Sequence, residues 1–360
     1  MKVAIITDTH FGGKNDNLAF SEFQRRFYEG TFFPILAREG ITTILHLGDA
    51  FDRRKYSNFL SLKLAKEMFF EPARDFKLHM LVGNHDSYYK NNNEVNSISL
   101  TCAEYNNIIL YEDVPELVEI GGCNILFVPW IAPAHLATSL NTIKKAKADI
   151  VMGHLEINGS EMAPGLYCDG GLDREMFKRY ERVFSGHYHQ QQDDGHVRYL
   201  GAPYEIYWND FNTKKGFHIF DTETRELEFY QNPNKLFKKI YYDDGNALVG
   251  AHSCDEMLNY DITEYENCYV KIIVVQKTDF YTFDRFIDRC YSEGNFYELK
   301  IVEDFSDLDP SAITDDLVEV GEDTMTLLDR YVEEIDSAAL NKTKLKQLLK
   351  NLYVEASESE

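Results

Sequence analysis

Five short clusters of Asp, His and Asn punctuate the first half of the chain. They are Asp8-Thr9-His10, Gly48-Asp49-Ala50-Phe51-Asp52, Gly83-Asn84-His85-Asp86, Gly153-His154 and Gly186-His187-Tyr188-His189. Carboxylate, imidazole and carboxamide donors of this kind suit two divalent transition ions. A pair of such ions is the apparatus for hydrolysing a phosphoester. That reaction needs a hydroxide, neutralisation of the phosphoryl oxygens and help for the leaving alkoxide. Two ions supply the first two, and one carboxylate must bridge them.

Asp49 is the candidate bridge, because Gly48 before it lets the backbone approach the ions. Asp8 and His10 lie two residues apart, so both can face one ion. His187 and His189 share that spacing and can reach different ions. Asn84 offers a neutral oxygen that limits the charge around the second ion, and His154 adds an imidazole. His85 need not bind metal; it can contact the phosphate or protonate the leaving group. A lone Asp-x-His or Gly-His-x-His is common without a metal, so the weight lies in all five occurring in this order. His46, His79, His135, His196, His218 and His252 lack such context and read as structural or surface residues.

Each cluster follows a short apolar run: residues 3–7, 43–47, 78–82, 150–152 and 183–185. These runs read as strands, which places the donors at strand C-termini, the ligand-binding edge of open α/β sheets. Residues 20–39 and 57–76 read as helices between the first three strands, giving a βαβα pattern and a layered α/β domain. Shorter β runs at 117–120, 124–129, 197–200 and 216–221 predict a second sheet packed on the first. The expected fold class is α/β: a layered β-sandwich flanked by helices, spanning 1–232. Residues 233–302 read as a small α+β domain, with β runs at 269–275 and 296–302 around an amphipathic stretch at 283–291. Residues 303–323 hold nine acidic and no basic residues with Pro310, and read as a linker.

Residues 324–360 form a helical tail by their pattern. Met325, Leu328, Val332 and Ile335 make one apolar stripe; Leu345, Leu348, Leu349 and Leu352 make another. Two readings stand: a hairpin packed back on the small domain, or a docking element for another chain.

A length of 360 residues with 44% apolar and 14% aromatic content suits a globular protein of two or three domains. There is no apolar run of about 18 or more residues, so no membrane span is expected. Met1 leads directly into a strand, so no signal peptide is expected. Six scattered cysteines without a CxxC pair predict reduced thiols and a cytoplasmic protein. The net charge is −23. Residues 1–220 hold 23 Lys/Arg against 28 Asp/Glu, and residues 221–360 hold 14 against 32. That balance opposes tight autonomous nucleic-acid binding, because phosphate contacts need basic side chains.

The five clusters resemble those of calcineurin-like metallophosphoesterases. Further features are Val128-Pro129-Trp130, Tyr199-Leu200-Gly201-Ala202-Pro203, Gly216-Phe217 leading to Phe220-Asp221-Thr222-Glu223-Thr224, and Leu352-Tyr353-Val354-Glu355-Ala356. With these, essentially the whole chain resembles the SbcD branch, the nuclease subunits of double-strand-break repair complexes, and most of all its bacteriophage recombination members.

The resemblance implies a first metal held by Asp8, His10, Asp49 and His189, and a second held by Asp49, Asn84, His154 and His187. It implies that His85 acts on the phosphate, oriented by Asp86 or Asp52. Some family members carry His at the position of Asp52, which points to an orienting role there. Manganese is the implied ion, with magnesium the alternative. The small domain would be a DNA-facing cap. The tail would dock on the coiled-coil base of an ABC-type ATPase of the SbcC kind, and two nuclease domains would form a homodimer. The implied setting is DNA repair, recombination and replication, in the host cytoplasm if phage-encoded.

The leading expectation is therefore a metal-dependent DNA exonuclease/endonuclease working with an ATPase partner. A small-substrate phosphodiesterase or phosphatase is the rival that the acidic charge favours. A mainly architectural subunit bridging DNA ends is the other.

Overall fold

The computed structural model describes residues 1–163, 166–245 and 253–302, together with Lys342 and Leu345. Met1–Asp304 form one compact unit and Phe305–Glu360 a second. The predicted linker at 303–323 and helical tail at 324–360 lie outside the described residues, Lys342 and Leu345 apart.

The strands in chain order are β1 Lys2–Ile6, β2 Thr43–His46, β3 Lys77–Leu81, β4 Ile108–Tyr111, β5 Glu116–Ile120 and β6 Cys123–Val128. Next come β7 Ile150–His154, β8 Glu161–Ala163, β9 Leu166–Tyr167, β10 Arg182–Gly186, β11 Gln192–Asp193 and β12 Val197–Tyr199. The last are β13 Gly216–Asp221, β14 Leu227–Gln231, β15 Phe237–Asp243, β16 Tyr269–Gln276 and β17 Glu298–Val302.

Two six-stranded sheets form the frame, ordered β14-β13-β1-β2-β3-β4 and β11-β12-β10-β7-β6-β5. In the first, β1 to β4 run parallel and β13 pairs antiparallel with β1. In the second, β6, β7, β10 and β12 run parallel.

Alternation along β1 shows how the layers bind. Val3 and Ile5 face the second sheet and pack with Leu45, Phe127, Ile150, Met152 and Phe184. Ala4 and Ile6 face the opposite way, toward helices that bring Phe20, Phe23, Phe27 and Phe69. A strand apolar on both faces needs cover on both, which is why these segments read as unbroken apolar runs.

The predicted helices at 20–39 and 57–76 are each interrupted. The first runs as α-helix Leu18–Phe27, π-turn Tyr28–Phe32 and α-helix Phe33–Arg38. The second runs as α-helix Phe59–Ala65, π-turn Lys66–Phe70 and 3-10 turn Pro72–Asp75. The cause is a proline just beyond each π-turn. Pro34 and Pro72 lack the N–H that continues the α ladder. The residue before each bonds five positions back instead, Phe33 to Tyr28 and Glu71 to Lys66. The widened turns place Tyr28 against Phe69, ring centroids 5.3 Å apart.

The three-stranded parallel sheet β15-β16-β17 carries the small domain's own core, with Ile240, Ile272, Phe283 and Phe286. Helix Phe280–Glu293 crosses between β16 and β17. Glu205 ties this sheet to the sandwich, since its buried carboxylate accepts from the backbone N–H of Leu236 and Phe237. All six cysteines are free, five of them buried. Among the described residues, no helix is long and apolar enough to cross a membrane.

Candidate metal centre

The C-terminal edges of both sheets meet at one place. Asp8 and His10 follow β1, Asp49 and Asp52 follow β2, and Asn84, His85 and Asp86 follow β3. His154 ends β7, lying within the strand rather than after it, and His187 and His189 follow β10. The five clusters thus converge across two sheets.

The loops after β1 and β2 run side by side. Asp8, His10 and Phe11 donate backbone N–H to the carbonyls of Gly48, Asp49 and Ala50, and Asp52 donates back to Phe11. This pairing holds Asp8, His10 and Asp49 at φ of 53°, 43° and 54°, and His187 stands at 87°. Non-glycine residues rarely occupy the left-handed region, and a cluster of them marks a functional site held by its surroundings. Gly83 shows how tight the approach is. A Cβ there would stand 2.1 Å from Asp49 Oδ1.

Two buried groups of donor atoms result, Asp8, His10 and His189 in one and Asp49, His154 and His187 in the other, and a third, less buried group of His10, Asp52 and His85 shares His10 with the first. Asp49 lies between the two buried groups. Its Oδ2 is 3.9 Å from His10 Nε2 and 3.2 Å from His154 Nε2. Asn84 Oδ1 is 2.9 Å from His154 Nε2 and 3.1 Å from His187 Nδ1. His10 Nε2 faces His189 Nε2 at 3.1 Å.

These contacts fit cations better than one another. His154 Nδ1 lies 2.9 Å from the Leu47 carbonyl, which can only accept, so the proton sits on Nδ1. In the neutral ring Nε2 then presents a lone pair toward the oxygens of Asp49 and Asn84, an arrangement that a cation, or a proton in its place, resolves. His10 repeats the pattern, with Nδ1 3.2 Å from Asp52 Oδ1 and Nε2 turned to His189. Lone pairs converging on one point need a positive charge there. A histidine whose far nitrogen is held by a carboxylate or carbonyl is the usual arrangement around a bound metal. His187 Nε2 is buried without a partner among the described residues, while its Nδ1 faces the site. The mixed nitrogen/oxygen donor set therefore fits two divalent ions.

The electrostatics agree. Burial disfavours charge on His10 and His154, yet the surrounding carboxylates outweigh it and push both up to about 9. The Asp52 hydrogen bond leads that effect for His10, and the charge of Asp49 leads it for His154. Burial and then the charge of His154 push His187 down to about 3. Burial opposes ionisation of Asp49, but the neighbouring histidines, His154 first, hold it well below the usual carboxylate range. Burial raises Asp8. The site is built for cations.

His85 stands apart. Its ring is half-buried, whereas His10, His154, His187 and His189 are buried. Nδ1 lies 2.7 Å from the main-chain carbonyl of Asp52, and the backbone N–H donates to Asp49 Oδ1. Asp86 acts elsewhere. Its carboxylate accepts from the N–H groups of Ala50, Phe51 and Gly83 and from Ser97 Oγ, clamping two ligand loops together.

Of the remaining histidines, His46 contacts Thr9 Oγ1 and His79 contacts the Tyr111 hydroxyl. His135, His196 and His218 pair with Asp113, the Tyr180 carbonyl and Arg198. His252 lies outside the described residues. Sequence reading missed the supports of His189. Lys215, 2% exposed, donates to the His189 carbonyl at 2.6 Å and pairs with buried Asp210. Tyr207 lies parallel to the His189 ring, centroids 5.9 Å apart. Trp130 stands over the second group, 5.3 Å from His187 and 6.2 Å from His154.

Residues 1–191 match the calcineurin-like phosphoesterase family. Exonuclease subunit 1 of Enterobacteria phage T4 is 31% identical over 366 residues, covering 99% of this chain and 100% of that protein. Two solved structures show weaker likeness. One, a novel archaeal phosphodiesterase, is 16% identical over 64% of this chain and 100% of its own, with a TM-score of 0.33. The other, a protein of unknown function from Aquifex aeolicus, is 20% identical over 42% and 77%, with a TM-score of 0.24.

Proposed function

The chain belongs to the calcineurin-like phosphoesterase family, and on that premise we propose that it is a metal-dependent DNA nuclease. The observation that carries this reading is Asp49 Oδ2 set between an imidazole nitrogen of each donor group, at 3.9 and 3.2 Å. DNA as substrate is supported by likeness across nearly the whole chain to an exonuclease subunit.

Asp8, His10, Asp49 and His189 would hold one ion, and Asp49, Asn84, His154 and His187 would hold the other; manganese is the ion we assign, with magnesium the alternative. When bound, the ions supply Lewis acidity that activates water and neutralises phosphoryl charge. The protein's own groups do the rest. Asp52 and the Leu47 carbonyl fix the tautomers of His10 and His154. His85 is the proton donor to the leaving oxygen. Its carbonyl partner accepts the Nδ1 proton whether the ring is neutral or cationic, so Nε2 is the atom that gains and loses a proton. Asp86 keeps the two loops in register.

The phage relative is a subunit, which supports a multi-chain nuclease. We assign residues 324–360 to docking on a coiled-coil ABC-type ATPase, residues 233–302 to a DNA-facing cap, and the domain at 1–232 to homodimer contact. The acidic net charge fits a division of labour in which the partner brings basic surface. The setting is cytoplasmic DNA processing.

A cleavage assay on single- and double-stranded DNA tests this, with manganese, magnesium or chelator and with His85→Ala alongside. Manganese-dependent cutting lost in the variant supports the reading. Turnover of bis-p-nitrophenyl phosphate without DNA cutting, even with the ATPase supplied, rejects it.

A further inference from the structure

Beside the second donor group lies a cavity of about 420 Å³. Its walls include Trp130, Leu140, Leu172 and Met176, with buried metal-ligand candidate His154, exposed Lys144, and the acidic residues Glu156 and Asp173 also lining it. Among the described residues, the Lys144 ammonium has no ion pair and the Trp130 indole N–H has no hydrogen-bond partner. An engineered cavity of about 150 Å³ already holds benzene, so this one has room for a purine.

Main-chain hydrogen bonds hold the backbone of the walls. The Trp130 backbone N–H donates to the Val82 carbonyl, and its main-chain carbonyl accepts from Asn93 Nδ2 at 2.8 Å. The opposite wall is pinned where Leu172 donates to the Glu156 carbonyl at 2.7 Å. That approach is close enough that a Cβ on Gly171 would stand 2.5 Å from the Glu156 oxygen. A largely apolar slot with an aromatic wall, opening beside a metal-ligand candidate, suits a flat ring attached to whatever the ions hold.

We propose that this cavity receives the unstacked base of a nucleotide flanking the scissile phosphate, with Trp130 as its stacking platform and Lys144 near the backbone. The proposal rests on the nuclease reading and adds to it. It makes an unpaired nucleotide beside the cut part of substrate recognition, without base identity, since every base has a π-face. A paired and stacked base would first have to leave the helix.

Two measurements test it. First, single-turnover cutting by the manganese-loaded full chain is compared on single-stranded DNA with and without an abasic residue at each position flanking the cut. Wild type should lose roughly tenfold at one flanking position, the order expected for one base–aromatic stack. Trp130→Ala should lose a similar factor on intact DNA and little more on the abasic strand. Full-rate cutting of every abasic strand, or additive losses, overturns the proposal while leaving the nuclease reading intact. Second, Trp208→Phe leaves Trp130 as the single tryptophan. Its fluorescence should be quenched by an oligothymidylate and not by the abasic equivalent. Such quenching without any DNA cutting keeps the cavity and rejects the nuclease. Equal quenching by both strands overturns the cavity.

Discussion

His85 Nδ1 lies 2.7 Å from the main-chain carbonyl oxygen of Asp52, while the carboxylate of the same Asp52 reaches His10 Nδ1 at 3.2 Å. One residue thus serves two histidines through two different groups, and substitutions can separate them. His85→Gln should lower cleavage by about 10²–10⁴-fold with metal content unchanged. Asp52→Asn keeps the carbonyl and removes the charge behind His10. It should weaken metal binding by about 10–100-fold, and excess metal should restore its activity. Metal titrations followed by rate at saturation read both. An Asp52→Asn rate still depressed at saturating metal would show that its carboxylate acts beyond His10.

In the proposed centre Asp49 serves both ions, so Asp49→Ala should lose both rather than one. Elemental analysis after dialysis against trace manganese measures this directly. Gly83→Ala should resemble it without touching a donor, since a Cβ at 2.1 Å from Asp49 Oδ1 and 2.3 Å from its N forces the loop away. Two ions retained at wild-type affinity in Asp49→Ala would reject the bridge.

The donor clusters are legible in the sequence because each follows an apolar run short enough to be a strand, and strand ends collect at one edge of a sheet. The βαβ pattern and the second sheet are legible for the same reason. Three features are not. The interrupted helices around Tyr28–Phe32 and Lys66–Phe70 follow from Pro34 and Pro72, but periodicity alone carries the pattern across them. The positive φ of Asp8, His10 and Asp49 comes from pairing between two loops about 40 residues apart, which no local propensity encodes. Lys215 and Asp210 sit outside every motif and matter only because the fold brings them beneath His189.

His218, 1% exposed on β13, is pushed down to about 3, first by burial and then by the Arg198 charge. Its unfolded value is near 6.5. The unfolded chain therefore binds the extra proton, and this group's stabilising effect is present above about pH 6.5 and lost as pH falls toward 3. The slope is about 1.4 kcal/mol per pH unit. Between pH 7 and 4.5, wild type should lose about 2–3 kcal/mol more than His218→Gln. Urea unfolding in chelator measures the difference without metal linkage. Equal pH slopes for the two proteins would place the protonation elsewhere.

Lys215 and Asp210 form an ion pair with side chains 2% and 1% exposed. Asp210 also accepts the backbone N–H of Ile206 and Tyr207, and Lys215 also donates to the His189 carbonyl. Removing the lysine leaves a buried carboxylate with two neutral donors and leaves the His189 carbonyl with the Ala202 N–H alone. Breaking a buried pair in this way costs about 3–5 kcal/mol. Lys215→Met should therefore lower the melting temperature of metal-free protein. It should also weaken the first metal site, whose His189 loses one of its two main-chain anchors while its ring is untouched. Adding Asp210→Asn should recover part of the stability, because the unpaired charge is gone, and none of the metal affinity, because the His189 carbonyl still lacks the lysine and keeps only the Ala202 N–H. Calorimetry of the two variants with matched manganese titrations separates these outcomes. Metal affinity recovering along with stability would show that Lys215 acts on the fold alone and not on the position of His189.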